Sequence, residues 1–268
     1  MLGAFAAGAV ASAQGKLDRV GEATRDGDAS DDDEHEHDWD WSADIEGDVF
    51  DDALGAVIGW VLFTPFYLPR MSLEDGGAPG RFREYPYHDG PGYWRFRDPA
   101  TLEPPRAWSL RPRVEVGSDF DDLERVGLGL QVEHASRFGL DTSWSRWREE
   151  LVGGGTDRLD LGDVNLVYRF AQGERVAFRA GLGFNWLDDE IDSEFGLNAT
   201  YGVELFPARP LTGALEFDLG RLGDATQAHF RAELGFVLER FGLFASFDHF
   251  DIDGVELRSY GLGLRGWM

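Results

Sequence analysis

The sequence predicts an all-β fold: an antiparallel up-and-down transmembrane β-barrel of about ten strands, with a disordered or short-helical N-terminal extension. Three observations carry this. Residues 107–268 alternate strictly between apolar and polar side chains. The segments joining these stretches alternate between a short set and a more acidic set. The residues before 107 show no such period and are broken up by charge runs and by glycine and proline.

Composition narrows the function classes. The chain has 268 residues, 50 acidic against 25 basic and a formal charge of -25, so a polyanion such as DNA or RNA is repelled and nucleic acid is not an expected partner. There are no cysteines, which removes disulfides, thiolate metal sites and thiol catalysis. Lys16 is the only lysine. No run of about twenty apolar residues marks a membrane helix, but barrel strands alternate and leave no such run.

The N-terminal third divides by composition. Residues 1–13 are small and apolar and end in Ala11-Ser12-Ala13, the form of a signal peptidase site; they read as a signal-peptide remnant or an alanine-rich tail. Residues 14–48 read as an acidic disordered segment, its charge densest between Asp26 and Asp52. His35 and His37 within it belong to that run rather than to a metal site, which needs fixed geometry. Residues 49–106 read as a short helix and a connector rich in glycine, proline and aromatics. Phe50, Leu54, Val57, Ile58 and Val61 have helical spacing, and Pro65 and Pro69 are expected to end that helix. Its apolar stretch is too short to span a bilayer and can plug the barrel, lie on the membrane or meet a partner. The connector is expected to pack through Tyr85, Tyr87, Tyr93 and Trp94.

Strands are expected near 107–117, 124–135, 138–148, 158–171, 174–187, 194–206, 210–221, 226–239, 241–251 and 255–268. In the first, Trp108, Leu110, Val114 and Val116 share one face, and Ser109, Arg111, Arg113, Glu115 and Gly117 the other. The even number suits a barrel with both termini on the periplasmic side, the short connections there and the acidic, often longer ones outside. The charges of the polar face, Arg111, Arg113, Glu115, Arg179, Glu204, Glu216, Arg231, Glu233 and Arg265, are assigned to the lumen, where they fill it or line a narrow pore. Leu128, Leu182 and Leu234 then point to lipid. Trp108, Trp144, Tyr168, Trp186, Tyr201, Tyr260 and Trp267 fit interfacial girdles.

The final strand, YGLGLRGWM, resembles the C-terminal assembly signal of bacterial outer-membrane β-barrel proteins, of the small porin-like kind. Tyr260, Gly261, Leu262 and Leu264 match it, while Trp267 stands one place early and Met268 is last. The resemblance covers residues 107–268. It implies a bacterial outer-membrane location, with membrane lipid and the barrel assembly machinery as partners, and no particular activity. The role expected is a structural or surface-interaction protein or a narrow pore, without cofactor or resident metal. The acidic loops Asp119 to Glu124 and Asp188 to Glu194 offer oxygen ligands to divalent cations.

Two rivals come from other classes. Asp248 and His249 loosely resemble the acid and histidine pairs of outer-membrane proteases, but adjacent strand residues point to opposite faces, so a hydrolase needs a bulge there. Ser136, Ser143, Ser145, Ser246 and Ser259 sit in no nucleophile elbow. A soluble lipocalin-like carrier would turn the leucine face inward around a ligand.

Overall fold

The structure, a computed structural model, describes residues 15–25, 65–73, 81–95, 106–151, 154–189 and 191–268. After two short strands, β1 (Arg81–Phe82) and β2 (Trp94–Arg95), the ten alternating stretches become β3 (Trp108–Ser118), β4 (Leu123–His134), β5 (Phe138–Glu150), β6 (Thr156–Gln172), β7 (Val176–Asp188), β8 (Ser193–Leu205), β9 (Leu211–Leu222), β10 (Ala225–Leu238), β11 (Phe241–Ile252) and β12 (Val255–Gly266). Each pairs antiparallel with its neighbours in sequence, and β12 closes on β3. The seam continues past β12: the Met268 amide donates to the Leu110 carbonyl at 2.9 Å, and the Leu110 amide to Met268 at 3.0 Å. Closure leaves no sheet edge to be satisfied by solvent.

The direction of the leucine face separates a membrane barrel from a ligand carrier. Leu128, Leu182 and Leu234 are 49%, 71% and 64% exposed, while Arg111, Glu115, Arg231 and Glu233 are buried. The apolar side chains point out and the charges point in, which rules out the lipocalin-like arrangement. An aqueous exterior would not tolerate so continuous a leucine, valine and phenylalanine surface, whereas hydrocarbon requires it.

Some expectations need correction. The acidic connections are only slightly longer than the others: they run 119–122, 151–155, 189–192, 223–224 and 253–254, against 135–137, 173–175, 206–210 and 239–240 at the end carrying both barrel termini. β5 and β6 extend further than the alternation suggested, taking Glu149, Glu150 and Thr156 into the ladder, and β7 takes in Asp188. Trp267 is not an exposed girdle residue, because its side chain turns into the barrel end and is 2% exposed. Within the segment 14–48, read as disordered, Lys16–Arg25 form a helix, α1, inside the barrel mouth. Leu17, Val20, Gly21 and Thr24 give it one buried face, and the barrel supplies the partner that ten residues alone would lack.

Pro69 lies within a second helix, α2, which occupies residues 65–72, while the stretch that Pro65 was expected to end lies outside the described residues. Proline is tolerated in a first helical turn, whose amides have no partner inside the helix. Pro69 cannot donate to the Pro65 carbonyl, and the Tyr201 hydroxyl does so instead at 2.8 Å. The apolar stretch 49–63, the acidic run with His35 and His37, and residues 1–13 lie outside the described residues.

Leu182 sits near mid-height of β7, so Leu182→Arg places a charge in the middle of the lipid-facing belt. Reversible unfolding by denaturant in lipid should show a loss of about 2–4 kcal/mol. A change close to zero would mean that this face does not meet hydrocarbon.

Candidate functional site

All nine lumen charges expected from the sequence face the interior, and they join others that were not singled out. Arg111 donates to Glu204 at 2.8 Å and to Glu133. Arg169 donates to the other oxygen of Glu133 at 2.6 Å. Arg179 bridges Glu204 at 3.1 Å, Asp141 at 3.3 Å and Glu216 at 2.5 Å. A second cluster centres on Arg231, which reaches Glu115 at 2.6 Å, Glu233 at 2.7 Å and Asp248 at 2.6 Å. Arg125 joins Glu115 to Asp248, and Arg265 reaches Glu233 at 2.5 Å. Arg113 lies 4.0 Å from Glu233.

These residues come from strands far apart in sequence, so each ion pair is also a tie across the lumen. The guanidinium suits this role because its planar fork can serve two or three carboxylates at once. Small residues make room for it. A methyl group at Gly129 would sit 2.3 Å from the Arg113 Nε, so glycine on the inner face is what lets the arginine lie flat. Cavities left between the charged side chains measure about 20 and 10 Å³, room for roughly one water each.

Both mouths are occupied as well. At the acidic end α1 lays Leu17 and Val20 on an inward-facing collar that includes Leu123, Trp147, Leu159, Leu187, Ile252 and Leu257. Its first turn is capped by the barrel: the Lys16 and Leu17 amides each donate to the Glu149 carboxylate at 2.9 Å. An anion there satisfies orphan donors and suits the helix dipole. Lys16 reaches Asp119 at 3.3 Å, and Arg25 reaches Asp189 at 2.6 Å. Burial pushes the Asp189 carboxyl up, but the Asp192 and Ile191 amides and Arg25 outweigh it and hold it below the usual carboxylate range.

The opposite end is closed by residues 81–95, a small hairpin of β1 (Arg81–Phe82) and β2 (Trp94–Arg95). Phe82, Tyr93 and Trp94 pack with Ala177, Phe206, Val237 and Trp267. Their rings rest on lumen arginines: Arg111 lies 5.5 Å from the Tyr93 ring centre and Arg169 lies 5.0 Å from that of Phe82. The Tyr93 hydroxyl meets Ser109 at 2.6 Å, and burial pushes it up to about 12. Gly92 approaches the barrel most closely. With φ of +69° and the Glu174 carbonyl 1.8 Å from where a Cβ would stand, no other residue fits.

The hydrolase candidates separate. Asp248 faces inward, 1% exposed, held by Arg125, Arg231 and the His229 Nε2 at 3.2 Å. His249 lies on the outer face beside Phe247. No bulge interrupts β11 there, so the two do not converge on a cleft. Ser246 donates to Glu115 at 3.0 Å and Ser143 to Asp163, both inside the barrel. Among the described residues no group of three or more histidine and carboxylate side chains could hold a metal ion. In the acidic loops, Asp119 accepts the Asp121 and Leu123 amides and Asp189 those of Ile191 and Asp192, besides their ties to α1.

Arg125, Glu133, Asp141, Asp163, Arg169 and Asp218 are among the lumen charges missing from the sequence reading. Strand parity could have found them, as Arg125 shares a face with Gly127 and Gly129. The same parity places Leu123, Trp147, Ile252 and Leu257 on the inner face near the acidic end, an apolar collar that signals a buried partner.

An apolar outer belt, a charged and filled interior, even strand number and full closure together decide the setting. It is a transmembrane β-barrel. No protein-family model and no curated protein matches the chain. Solved structures resemble its architecture at low identity. The outer-membrane protein Ail of Yersinia pestis in a phospholipid nanodisc is 14% identical over 60% of this chain and 99% of its own, with a TM-score of 0.35. An outer membrane channel from Pseudomonas putida F1 is 12% identical over 64% of this chain and 100% of its own, at 0.37. The N-terminal barrel of Pseudomonas aeruginosa OprF is 15% identical over 60% and 97%, at 0.29. At such scores the weight rests on the geometry of the barrel itself.

Two predictions follow the network and the plug. Arg231→Leu leaves Glu115, Glu233 and Asp248 short of a cation and should cost about 3–5 kcal/mol in denaturant unfolding, whereas His249→Ala should change stability by less than about 0.5 kcal/mol. The Arg25 and Asp189 tie contributes fully above the ordinary aspartate value of about 3.9 and is lost as pH falls through the lowered one. Asp189→Asn should therefore loosen α1 by roughly 1 kcal/mol at neutral pH, read as faster amide exchange in residues 16–25, and the difference from wild type should vanish in acid.

Proposed function

We propose that the chain is a closed outer-membrane barrel with a structural and surface-interaction role, without a conducting path in this state. The observation that supports this best is the continuity of the seal: α1 in one mouth, two ion-pair clusters in the lumen and the aromatic hairpin in the other mouth. Solute or ion passage would require breaking several buried charge pairs together, each costly to separate. Insertion would proceed through the barrel assembly machinery, with Tyr260, Gly261, Leu262, Leu264, Trp267 and Met268 presenting the last strand.

Planar-bilayer recording on heat-modifiable protein tests the reading. Wild type should give no stable conductance, and deletion of residues 81–95 should add only brief openings because the ion pairs remain. Sustained wild-type channels with defined conductance would overturn it in favour of a pore.

A further inference from the structure

At the acidic end the outer wall carries arginines with unequal partners. Arg146, on β5, forks onto Asp160 of β6 at 2.9 and 2.8 Å and lies 5.4 Å from the Trp144 ring centre. Two residues further along, Arg148 stands directly opposite Arg158. Both are exposed, and among the described residues neither has a carboxylate within ion-pair distance. Residues opposite each other on neighbouring strands have Cβ atoms about 5 Å apart, and like charges there repel. The chain holds 50 acidic residues against 25 basic, so carboxylates are not in short supply.

The carboxylates around the pair are engaged or out of reach. Asp160 is held by Arg146, Asp188 accepts the Ser193 hydroxyl at 2.5 Å, and Glu124, opposite Arg148 on β4, makes no ion pair with it. Below the pair the wall turns aromatic and then aliphatic. Trp144, Gly162 and Trp186 stand in one row across β5, β6 and β7, and the Trp186 ring covers Gly162, where a Cβ would come within 2.1 Å of it. Val164 and Phe184 form the next row, and Leu166 and Leu182 the one after. From Leu166 to Arg158 the strand climbs roughly 20 Å, at about 3.4 Å per residue and a tilt of about 40°. The apolar band reaches only about 12 Å either side of its middle, so the indoles mark its edge and the guanidinium groups stand at headgroup level.

We propose that Arg148 and Arg158 together bind the phosphomonoester headgroup of a membrane lipid, whose acyl chains run down over Trp186, Phe184 and Leu182. A phosphomonoester carries about −1.5 to −2 charges at neutral pH and three acceptor oxygens, enough for one guanidinium on each side. The planar forks match those oxygens, and the anion between them relieves the repulsion of the two arginines. A zwitterionic headgroup brings its own ammonium and compensates less. Free phosphate offers the same oxygens but has no chains to lay on the apolar wall beneath, so the lipid is the better occupant. Arg146 has a positioning role: it holds Asp160, the carboxylate two residues from Arg158 on the same face, away from the site.

The inference rests on the membrane reading above, and the test keeps the two apart. Full-length, heat-modifiable protein in detergent micelles is titrated with phosphatidic acid, phosphatidylcholine or inorganic phosphate, and the bound adducts are counted by native mass spectrometry. Wild type should bind phosphatidic acid more tightly than either of the others. An arginine near a membrane surface contributes about fivefold to binding an anionic lipid, so Arg148→Gln or Arg158→Gln should weaken phosphatidic acid about fivefold and the double variant about thirtyfold. Arg258→Gln on β12, where Glu256 already neutralises the arginine, should leave it unchanged. A heat-modifiable double variant with wild-type affinity, or a wild type that takes phosphatidylcholine as tightly, overturns this inference alone. Displacement of the lipid by an equal concentration of inorganic phosphate also overturns it, and assigns the pair to a soluble anion. A product that is soluble without detergent and shows no shift on boiling overturns the membrane reading with it.

Discussion

The arginine and carboxylate network in the lumen is the constraint on which the rest of the structure depends. A closed ten-stranded wall with leucines outside must put something in its interior, and at this size side chains can fill it. Charged side chains buried away from water are stable only when paired, so each strand's inner face must supply what its neighbours lack. Arg231 touching Glu115, Glu233 and Asp248 is one solution, drawing on β3, β10 and β11. The alternation that makes the outside fit lipid therefore also fixes the register of the inside. A one-residue slip of any strand would put leucine among the guanidinium groups and arginine in hydrocarbon.

The plugs extend this logic to the two ends. In the middle the barrel is polar inside, but near the acidic end its inner face turns to leucine and tryptophan, and α1 covers that collar with Leu17 and Val20. At the other end the aromatic hairpin needs no collar of carboxylates, because its rings lie on Arg111 and Arg169. Both ends are thus sealed by apolar packing, joined at one by a capped helix and at the other by rings laid on lumen arginines. Glu149, Asp119 and Asp189 show why the acidic end is acidic: part of its charge holds a helix in place.

Much of the fold was legible because period-two alternation is a direct record of which side of a strand meets which solvent. Leu128, Leu182 and Leu234 could be assigned to lipid from the company of charges on the other face, and the nine lumen charges by parity alone. Only polar residues were assigned to the inner face, so the collar of Leu123, Trp147, Ile252 and Leu257 went unseen, and with it α1. A ten-residue helix beside an acidic run has no local signal strong enough to announce itself; its stability comes from a surface made by eight strands distant in sequence. Trp267 was misread for a related reason, since position in a strand suggests a girdle and only the hairpin beneath it explains why the ring turns in. Pro69 was read by its general habit, whereas Tyr201 supplies the hydrogen bond that Pro69 cannot.

Which face meets lipid is the claim from which the sealed interior, the plugs and the membrane setting all descend. Since the chain has no native cysteine, nitroxide labels at Leu128, Leu182 and Leu234 in reconstituted bilayers can be compared with one at Ser246, inside the barrel. Electron paramagnetic resonance with an apolar and a polar relaxing agent reads each site directly. The account predicts that the three leucine sites are open to oxygen and shielded from a water-soluble nickel complex, with Ser246 shielded from both. Leucine sites accessible to the nickel complex, or immobilised and shielded from oxygen, would contradict it.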